Sequence, residues 1–277
     1  MNCYEPGMEG TAVDDVAIIV PLHTLALSAE ERISFRHLRR YLGTRDTFLV
    51  LPEGPAGTID DLPVRRFDAR FFTSHRAHQR LMLDPQLYES FAAYTFVLVY
   101  HLDSLVLSDE LERWCGEAYD FVGAPWTKRD ADGAPRFAGV GNGGFSLRRV
   151  SACLRALEAA REPATRVQTQ ARFAAATATR IARRATTGAR DGRLRGAAAA
   201  TLGALRDSYL YEDKFFGTVA PKLLDDFRVP TAEVAVSFAF ETEPRYCYER
   251  NGRRLPFGGH KWTAYDRAFW EPHLLSP

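Results

Sequence analysis

The chain has few cysteines and no excess of charge of either sign. Its four cysteines are scattered over 277 residues without a Cys-x-x-Cys pair, which argues against a zinc knuckle or a disulfide framework and favours a reducing cytoplasm. Its 36 lysines and arginines balance 35 aspartates and glutamates, for a net charge of +1. A globally basic nucleic-acid-binding protein is therefore not indicated, and we expect no nucleic-acid partner.

Long hydrophobic runs are also missing. The longest covers residues 91–100 and is interrupted by Thr95, whereas a membrane-spanning helix needs about 20 apolar residues. The N-terminal residues lack the basic start and apolar core of a secretory signal, and residues 1–13 are expected to be flexible. These absences predict a cytoplasmic protein.

Short apolar runs alternate with helical patterns along the first half of the chain. Residues 16–20 are a continuous apolar run, typical of a buried parallel strand, and residues 47–51 are predicted as the second strand. Between them, Ser28 and Glu31 have the spacing of a capping box, which predicts a helix start. Further elements are predicted as strands at 64–67, 94–100, 120–123 and 145–148, a helical stretch at 71–91 broken near Pro85, and a helix at 109–115 capped by Asp109. The alternation predicts an α/β protein with a Rossmann-like, mostly parallel sheet flanked by helices.

The segment 155–207 differs from the rest in being rich in alanine and arginine. Both residues favour helices, so we expect a helical insertion in a single domain that spans residues 14–277. A solvated insertion is the simpler interpretation. The alternative is that the arginines of residues 160–195 contact an acceptor or the inner face of a membrane, since basic amphipathic helices bind anionic lipid.

Two candidate sites lie next to predicted strands: one directly follows a strand and the other directly precedes one. Asp103 comes just after the strongest strand, where ligands of α/β sheets bind; it is either a turn residue or a ligand for Mg²⁺ or Mn²⁺. The run Gly139-Val-Gly-Asn-Gly-Gly144 matches the letters of a dinucleotide-binding motif, but it lies in mid-chain and leads into a strand, so we reject that interpretation. Gly143 and Gly144 still allow a ligand to approach the backbone closely.

Two further candidates lie in the C-terminal third. Glu212 and Asp213 begin a helical stretch, where acids complement the helix dipole; the functional alternative is a general base. His260 lies in a glycine-rich segment two residues before Trp262. It is either a structural histidine or, together with Asp103, a ligand for Mn²⁺.

Taken in order, these places resemble the DxD-like motif, glycine-rich loop, xED motif and C-terminal histidine of GT-A-fold nucleotide-sugar glycosyltransferases. The segments that carry the resemblance are His101-Leu-Asp103, Gly141-Asn-Gly-Gly144, Tyr211-Glu-Asp213 and His260. The sequence is more similar still to a glycosyltransferase-like family of formerly unknown function, whose members share the motifs YQLDA…GAPW…GNGGFSLR…EDxFF…PFGxHxW. The resemblance covers residues 16–270 except the Ala/Arg-rich segment, and it implies a GT-A-like single domain.

The resemblance also implies roles for individual residues. Asp103 and His260 would hold Mn²⁺ or Mg²⁺ on the diphosphate of a nucleotide-sugar donor, a UDP-sugar, and Asp213, beside Glu212, would deprotonate the acceptor as in inverting enzymes. The donor-site residues that it implies are Pro21, His23, His101, Asp103, Gly143, Gly144 and Trp262. His101 stands where such enzymes usually have an aspartate, which leaves fewer anionic ligands for the metal.

The resulting prediction is a hexosyltransferase-type enzyme that moves a sugar to a hydroxyl of a glycan, a lipid-linked sugar or another acceptor. Two other classes stay open: a non-catalytic module that binds nucleotide sugars, and a nucleotide-sugar hydrolase or nucleotidyltransferase. The absence of a phosphate-binding loop near the first strand disfavours nucleotidyl transfer.

Overall fold

The first apolar run forms the strand β1, beside which the rest of a six-stranded sheet is built. The structure is a computed structural model and describes residues 16–54, 56–162 and 211–276. The expectations for residues 1–13 and for most of the Ala/Arg-rich segment lie outside the described residues. The described strands are β1 Val16–Pro21, β2 Thr47–Pro52, β3 Val64–Phe67, β4 Phe96–Tyr100, β5 Ser104–Val106, β6 Phe121–Gly123, β7 Pro125–Arg129, β8 Pro135–Val140, β9 Phe145–Arg149, β10 Ala239–Phe240 and β11 Gly258–His260.

Most helices of the described part are short, and several follow one another with only brief interruptions. They are α1 Ala29–Leu42, α2 His75–Met82, α3 Pro85–Glu89, α4 Leu111–Gly116, α5 Val150–Arg161, α6 Glu212–Lys214, α7 Ala220–Leu223, α8 Ala232–Phe238, α9 Pro244–Arg250 and α10 Arg267–Trp270. A π-helical turn, Phe215–Val219, joins α6 to α7. None of the helices that the structure describes is long and apolar enough to cross a lipid bilayer.

The main sheet has the strand order β3-β2-β1-β4-β9-β6. Strands β3, β2, β1 and β4 are parallel, whereas β9 runs antiparallel to both β4 and β6. The predicted α/β fold with a mostly parallel sheet is confirmed. The reversal at β9 arises because the chain returns from β6 through the hairpin β7–β8 and not through a crossover helix.

Both faces of this sheet are buried, as the continuous apolar strands predict. In β1, Ala17 and Ile19 face one apolar cluster, with α2, α3 and α5, while Ile18 and Val20 face the other, with α1 and α4. Strand β9 is different, because only one of its faces is apolar. Phe145 and Leu147 enter the second cluster, whereas Ser146 and Arg148 point to the opposite face and are also buried.

A small second sheet, β10-β11-β5, lies at the carboxyl edge of the main sheet. Strand β11 pairs antiparallel with β5, which brings His260 opposite Ser104. Strand β10 pairs parallel with β11, with Phe240 opposite Gly259. Segments that are far apart in sequence therefore meet just beyond the end of β4.

Local signals in the sequence explain the helix boundaries in most cases. In α1, Glu31 N–H donates to Ser28 Oγ over 3.1 Å and Ser28 N–H donates to the Glu31 carboxylate over 2.7 Å, so the predicted capping box is present. The predicted cap at Asp109 is wrong. Helix α4 begins one residue later, with Glu110 at the N-cap and no side-chain capping bond.

Candidate active site

Three potential metal ligands meet where β4 ends. His101 and Asp103 lie in the turn between β4 and β5, and His260 ends β11, the neighbour of β5. One ligand atom from each of the three residues lies within 4.8 Å of the other two. Sheet pairing thus assembles the cluster that the sequence motifs predict only as separate pieces.

The two atoms at the centre of this cluster face each other as an ion pair. His260 Nε2 and Asp103 Oδ1 are 3.1 Å apart. Both atoms are buried, and neither has a further hydrogen-bond partner among the described residues. Once His260 gives up its proton, the same two atoms are placed to act as ligands of a common ion. A set of two imidazoles and a carboxylate suits Mn²⁺ better than Mg²⁺, which prefers oxygen ligands.

The charges around the cluster favour one anion and one neutral imidazole. Burial raises the pKa of Asp103, but His260 and His101 outweigh it and hold this pKa well below its usual value. Burial, reinforced by His78 and His260, holds the pKa of His101 well below 6.5, so His101 is neutral. Burial lowers the pKa of His260, but Asp103 and Glu241 outweigh this and raise it to about 9; a metal ion must therefore displace a proton from His260.

Each histidine of the cluster has a second partner that the sequence analysis missed. His260 Nδ1 lies 3.2 Å from Glu241 Oε1, and His101 Nε2 lies 3.0 Å from His78 Nε2. Burial lowers the pKa of His78 to about 4, with Arg148 and His75 adding to the effect, so His78 is also neutral. Glu241 and His78 lie outside every motif that the sequence analysis singled out, and only strand and helix packing brings them here.

The glycine-rich loop packs directly against this cluster. His101 N–H and Ser104 Oγ both donate to Gly144 O, over 2.8 and 3.1 Å. A Cβ atom at Gly144 would overlap the imidazole of His260. Asn142 has a φ of 72°, and its Oδ1 accepts a bond from Gly144 N–H over 3.1 Å. The interpretation of Gly143 and Gly144 as ligand-facing stays a prediction. In the structure, the lack of a side chain at Gly144 lets the loop contact His260.

Glu212 joins the same loop from the other side. Its carboxylate forms an ion pair with Arg148 over 3.0 Å, with side-chain exposures of 3% and 0%. Arg148 also donates to Gly143 O over 3.2 Å and to Tyr88 Oη over 2.8 Å, and a Cβ at Gly143 would overlap the Glu212 carboxylate. Burial raises the pKa of Glu212 to about 7, against the opposing effect of Arg148.

Asp213 follows Glu212 at the start of α6 and is partly buried. Its Oδ1 accepts a bond from Lys214 N–H over 2.8 Å. The carboxylate of Glu212 is occupied by Arg148, whereas Asp213 is held by a backbone group next to it. The two adjacent acids therefore have different surroundings.

A cavity of about 380 Å³ opens beside the cluster, within the usual size range of small-ligand sites. Four of the predicted donor-site residues line it: Pro21, His23, His101 and Asp103. The other wall was not predicted from the sequence; it includes Phe72, Ser74, His75 and His78.

Trp262 is placed differently from the other predicted donor-site residues. Its side chain is fully buried in an apolar cluster with Phe240 and Trp270. Trp262 contacts the cluster of His101, Asp103 and His260 through its backbone: its N–H donates to Asp103 O over 3.2 Å.

Comparison with solved structures gives only distant likenesses. A glycosyltransferase involved in the glycosylation of the major capsid of PBCV-1 is 10% identical, with 93% of this chain and 97% of that chain covered and a TM-score of 0.45. The galactosyltransferase LgtC, in complex with donor and acceptor sugar analogs, is 10% identical, with 94% and 97% covered and a TM-score of 0.46. The glycosyltransferase GlyE of Streptococcus pneumoniae TIGR4 is 10% identical, with 94% and 60% covered and a TM-score of 0.43. These likenesses are too distant to assign an activity.

Sequence comparison is more decisive about family. A search of curated protein sequences finds no match. Residues 61–260, more than two thirds of the chain, match the model of a family described as "Protein of unknown function (DUF5672)". This range contains the cluster, the glycine-rich loop and both acids at the start of α6, and the chain belongs to the DUF5672 family.

Proposed function

We propose that this protein is a glycosyltransferase that moves a sugar from a nucleotide-sugar donor to a hydroxyl acceptor with the help of a divalent metal ion. The observation that carries the proposal is the meeting of four motifs around one loop. His101 and Gly144 share a backbone hydrogen bond, Gly144 packs on His260, and Gly143 packs on Glu212. These are the segments that resemble nucleotide-sugar glycosyltransferases.

A metal ion fits the residues present. Asp103 Oδ1 and His260 Nε2 are buried, face each other and have no further partner in the described part of the chain, and His101 completes the set. These residues would hold Mn²⁺ in preference to Mg²⁺ because two of the three are imidazoles. When bound, the ion would supply positive charge to the departing nucleoside diphosphate.

The donor would occupy the cavity next to this cluster. Its volume of about 380 Å³ suits a small polar ligand, and Asp103 lies on its wall, so that a diphosphate there would reach the metal. Pro21 and His23, at the end of β1, would border the base and ribose. The choice of a UDP-sugar is taken from the resemblance alone.

Asp213 is proposed as the general base of an inverting transfer. Glu212 is tied to Arg148 in a buried ion pair, and this supports a role in holding the loop in place. Asp213 is partly buried and keeps a carboxylate oxygen beyond the one that accepts from Lys214. A positioned base typically contributes about 10²- to 10⁴-fold in rate.

The first experiment is calorimetric titration of the protein with UDP-, GDP- and TDP-sugars, with Mn²⁺ and with chelator. Metal-dependent binding of one donor is the expected result. If no donor binds under either condition, the proposal is wrong. Mass analysis of the products then separates transfer from the alternatives, since a hydrolase releases free sugar and a binding module releases none.

The base is tested with Asp213→Asn. We expect transfer to fall by about 10²-fold or more while the donor Kd stays unchanged, because the substitution removes only the proton acceptor. Asp109→Asn is the matched control, since Asp109 is an exposed carboxylate outside the site. Equal turnover of the Asp213→Asn variant and the control would overturn the assignment.

The acceptor is proposed to be a hydroxyl of a glycan or a lipid-linked sugar, which would place the reaction in the cytoplasm at the inner face of a membrane. The arginines of residues 160–195 are the proposed membrane contact. Sedimentation with anionic liposomes at low salt tests this contact, because such binding is screened by salt. Protein that stays in the supernatant would exclude it.

A further inference from the structure

We infer that Glu241 is a positioning residue of the metal cluster, which fixes the tautomer and the ring orientation of His260. The inference rests on the proposed metal site but concerns a residue outside the motifs that suggested it. It assigns Glu241 the task of accepting the Nδ1 proton of His260, so that Nε2 presents its lone pair to the ion.

The fold places Glu241 next to His260 through strand pairing. Phe240, the last residue of β10, lies opposite Gly259 of β11, so the residues that follow each of them, Glu241 and His260, are neighbours. Glu241 Oε1 lies 3.2 Å from His260 Nδ1, and the side chains are only 12% and 6% exposed. The contact is therefore largely shielded from water.

The chemistry of the two groups makes the direction of this bond unambiguous. An ionised carboxylate can only accept, so His260 must donate from Nδ1. A neutral imidazole carries one proton, which leaves Nε2 as the unprotonated nitrogen. Nε2 is the atom that faces Asp103 Oδ1 at 3.1 Å. Metal-binding histidines generally have such a partner on the second nitrogen, and its loss typically weakens metal binding about 10- to 100-fold.

The carboxylate of Glu241 is itself held in place. Lys261 Nζ lies 3.1 Å from the same Oε1 and is 40% exposed, so the carboxylate is bracketed by an imidazole on its buried side and an ammonium towards solvent. His101 differs, since its second partner is the neutral His78. Glu241 is thus a carboxylate outside the cluster that lies within hydrogen-bond distance of one of its histidines.

The experiment follows Mn²⁺ binding by electron paramagnetic resonance in the wild type, Glu241→Gln and Glu249→Gln. An amide can donate as well as accept, so Glu241→Gln no longer selects the tautomer, and we expect its Mn²⁺ affinity to fall about 10- to 100-fold. Glu249 forms an exposed ion pair with Arg253, and its variant is expected to match the wild type. Lys261→Met tests how much the ammonium group contributes to Mn²⁺ affinity, and we expect a smaller loss of this affinity than for Glu241→Gln.

A second measurement needs no variant. The ¹⁵N spectrum of the His260 ring in the protein loaded with diamagnetic Zn²⁺ is expected to show the proton on Nδ1. A proton on Nε2, or a folded Glu241→Gln variant that binds Mn²⁺ as tightly as the wild type, would overturn the inference and leave the proposed function intact. If the wild type binds no metal, both the inference and the metal-dependent mechanism are wrong.

Discussion

Gly144 and His260 are packed so closely that a single methyl group on the glycine would overlap the imidazole ring. The carbonyl of the same glycine accepts a hydrogen bond from His101 N–H. One residue of the loop therefore contacts both histidines of the cluster, and the absence of its side chain sets how near the loop can come. The loop and the cluster form one unit of structure.

The first prediction concerns Gly144→Ala. The new Cβ must displace the His260 ring, because backbone bonds hold the loop on its other side, and we expect Mn²⁺ affinity to fall about tenfold or more, equivalent to ~1.4 kcal/mol. Calorimetric titration measures this. Gly116→Ala is the matched control: a Cβ there meets nothing within 4 Å, so its affinity is expected to equal that of the wild type. Equal affinity of both variants would mean that the ring and loop move apart freely.

The second prediction concerns Asp103→Asn. The amide keeps the shape of the carboxylate but removes the single anion from the three-residue cluster. We expect Mn²⁺ affinity to fall about tenfold or more, and the stabilisation by excess Mn²⁺ to be smaller in the variant by about 1.4 kcal/mol or more. Thermal melting with and without Mn²⁺ is the measurement. A variant that Mn²⁺ still stabilises to the same extent would exclude Asp103 as a ligand.

The third prediction concerns Arg148→Met, which leaves the carboxylate of Glu212 buried without its counter-ion. Breaking a buried pair on one side typically costs about 3–5 kcal/mol. The pKa of Glu212 is already raised to about 7, so this carboxyl takes up a proton as the pH falls from 8 to 5. The deficit in unfolding free energy is therefore expected to be largest at pH 8 and to shrink towards pH 5.

Denaturant unfolding of the wild type and Arg148→Met at both pH values measures this deficit. The double variant Arg148→Met, Glu212→Gln is the control, because the amide mimics the protonated acid. We expect it to be more stable than Arg148→Met at pH 8. A deficit that does not change with pH would show that the loss comes from packing and from the bonds to Tyr88 and Gly143 alone.

The fourth prediction concerns His37, a buried residue of α1 that is not a member of the cluster. Its Nε2 accepts from Leu275 N–H over 3.0 Å and its Nδ1 lies 2.9 Å from Val106 O, so both nitrogens of the neutral ring are used. Burial lowers its pKa, with Arg36 also lowering it and the bond to Val106 opposing. A lowered pKa means that its contribution is complete above pH 6.5 and is lost as the pH falls through the folded-state pKa.

We therefore expect the melting temperature of the wild type to decrease more between pH 7.5 and pH 5 than that of His37→Gln. The amide can accept from Leu275 and donate to Val106 without titrating. The remaining histidines are common to both proteins and cancel in the comparison. Identical losses would show that His37 does not contribute to the acid sensitivity.

The parts of the fold that were predicted correctly depend on interactions between residues that are close together in the sequence. The apolar run of β1 and the capping box of Ser28 and Glu31 are local signals, and both elements formed where expected. Asp109 failed as a cap because the N-cap position falls on Glu110, which forms no side-chain capping bond, although Ser108 and Asp109 are better capping residues by type. The backbone, and not the side-chain chemistry, decides which of them takes the position.

The parts of the site that were missed depend on pairing between distant strands. Glu241 has no pattern around it, and its contact with His260 exists because β10 pairs with β11. His78 is a helix residue whose contact with His101 follows from the packing of α2 over the end of β4. The role of Trp262 illustrates the converse: an aromatic residue near a predicted site packed into the apolar core.

Apolar and polar side chains alternate along β9, and this limits where insertions and deletions can occur in the sequences of the family. Because Phe145 and Leu147 face one side and Ser146 and Arg148 the other, a slip of one residue would turn the arginine into the apolar layer. An insertion or deletion between residues 141 and 144 is therefore poorly tolerated. Phe72 and His75, on the other wall of the cavity, lie outside the strands, and adaptation to a new ligand is expected to proceed by substitutions there.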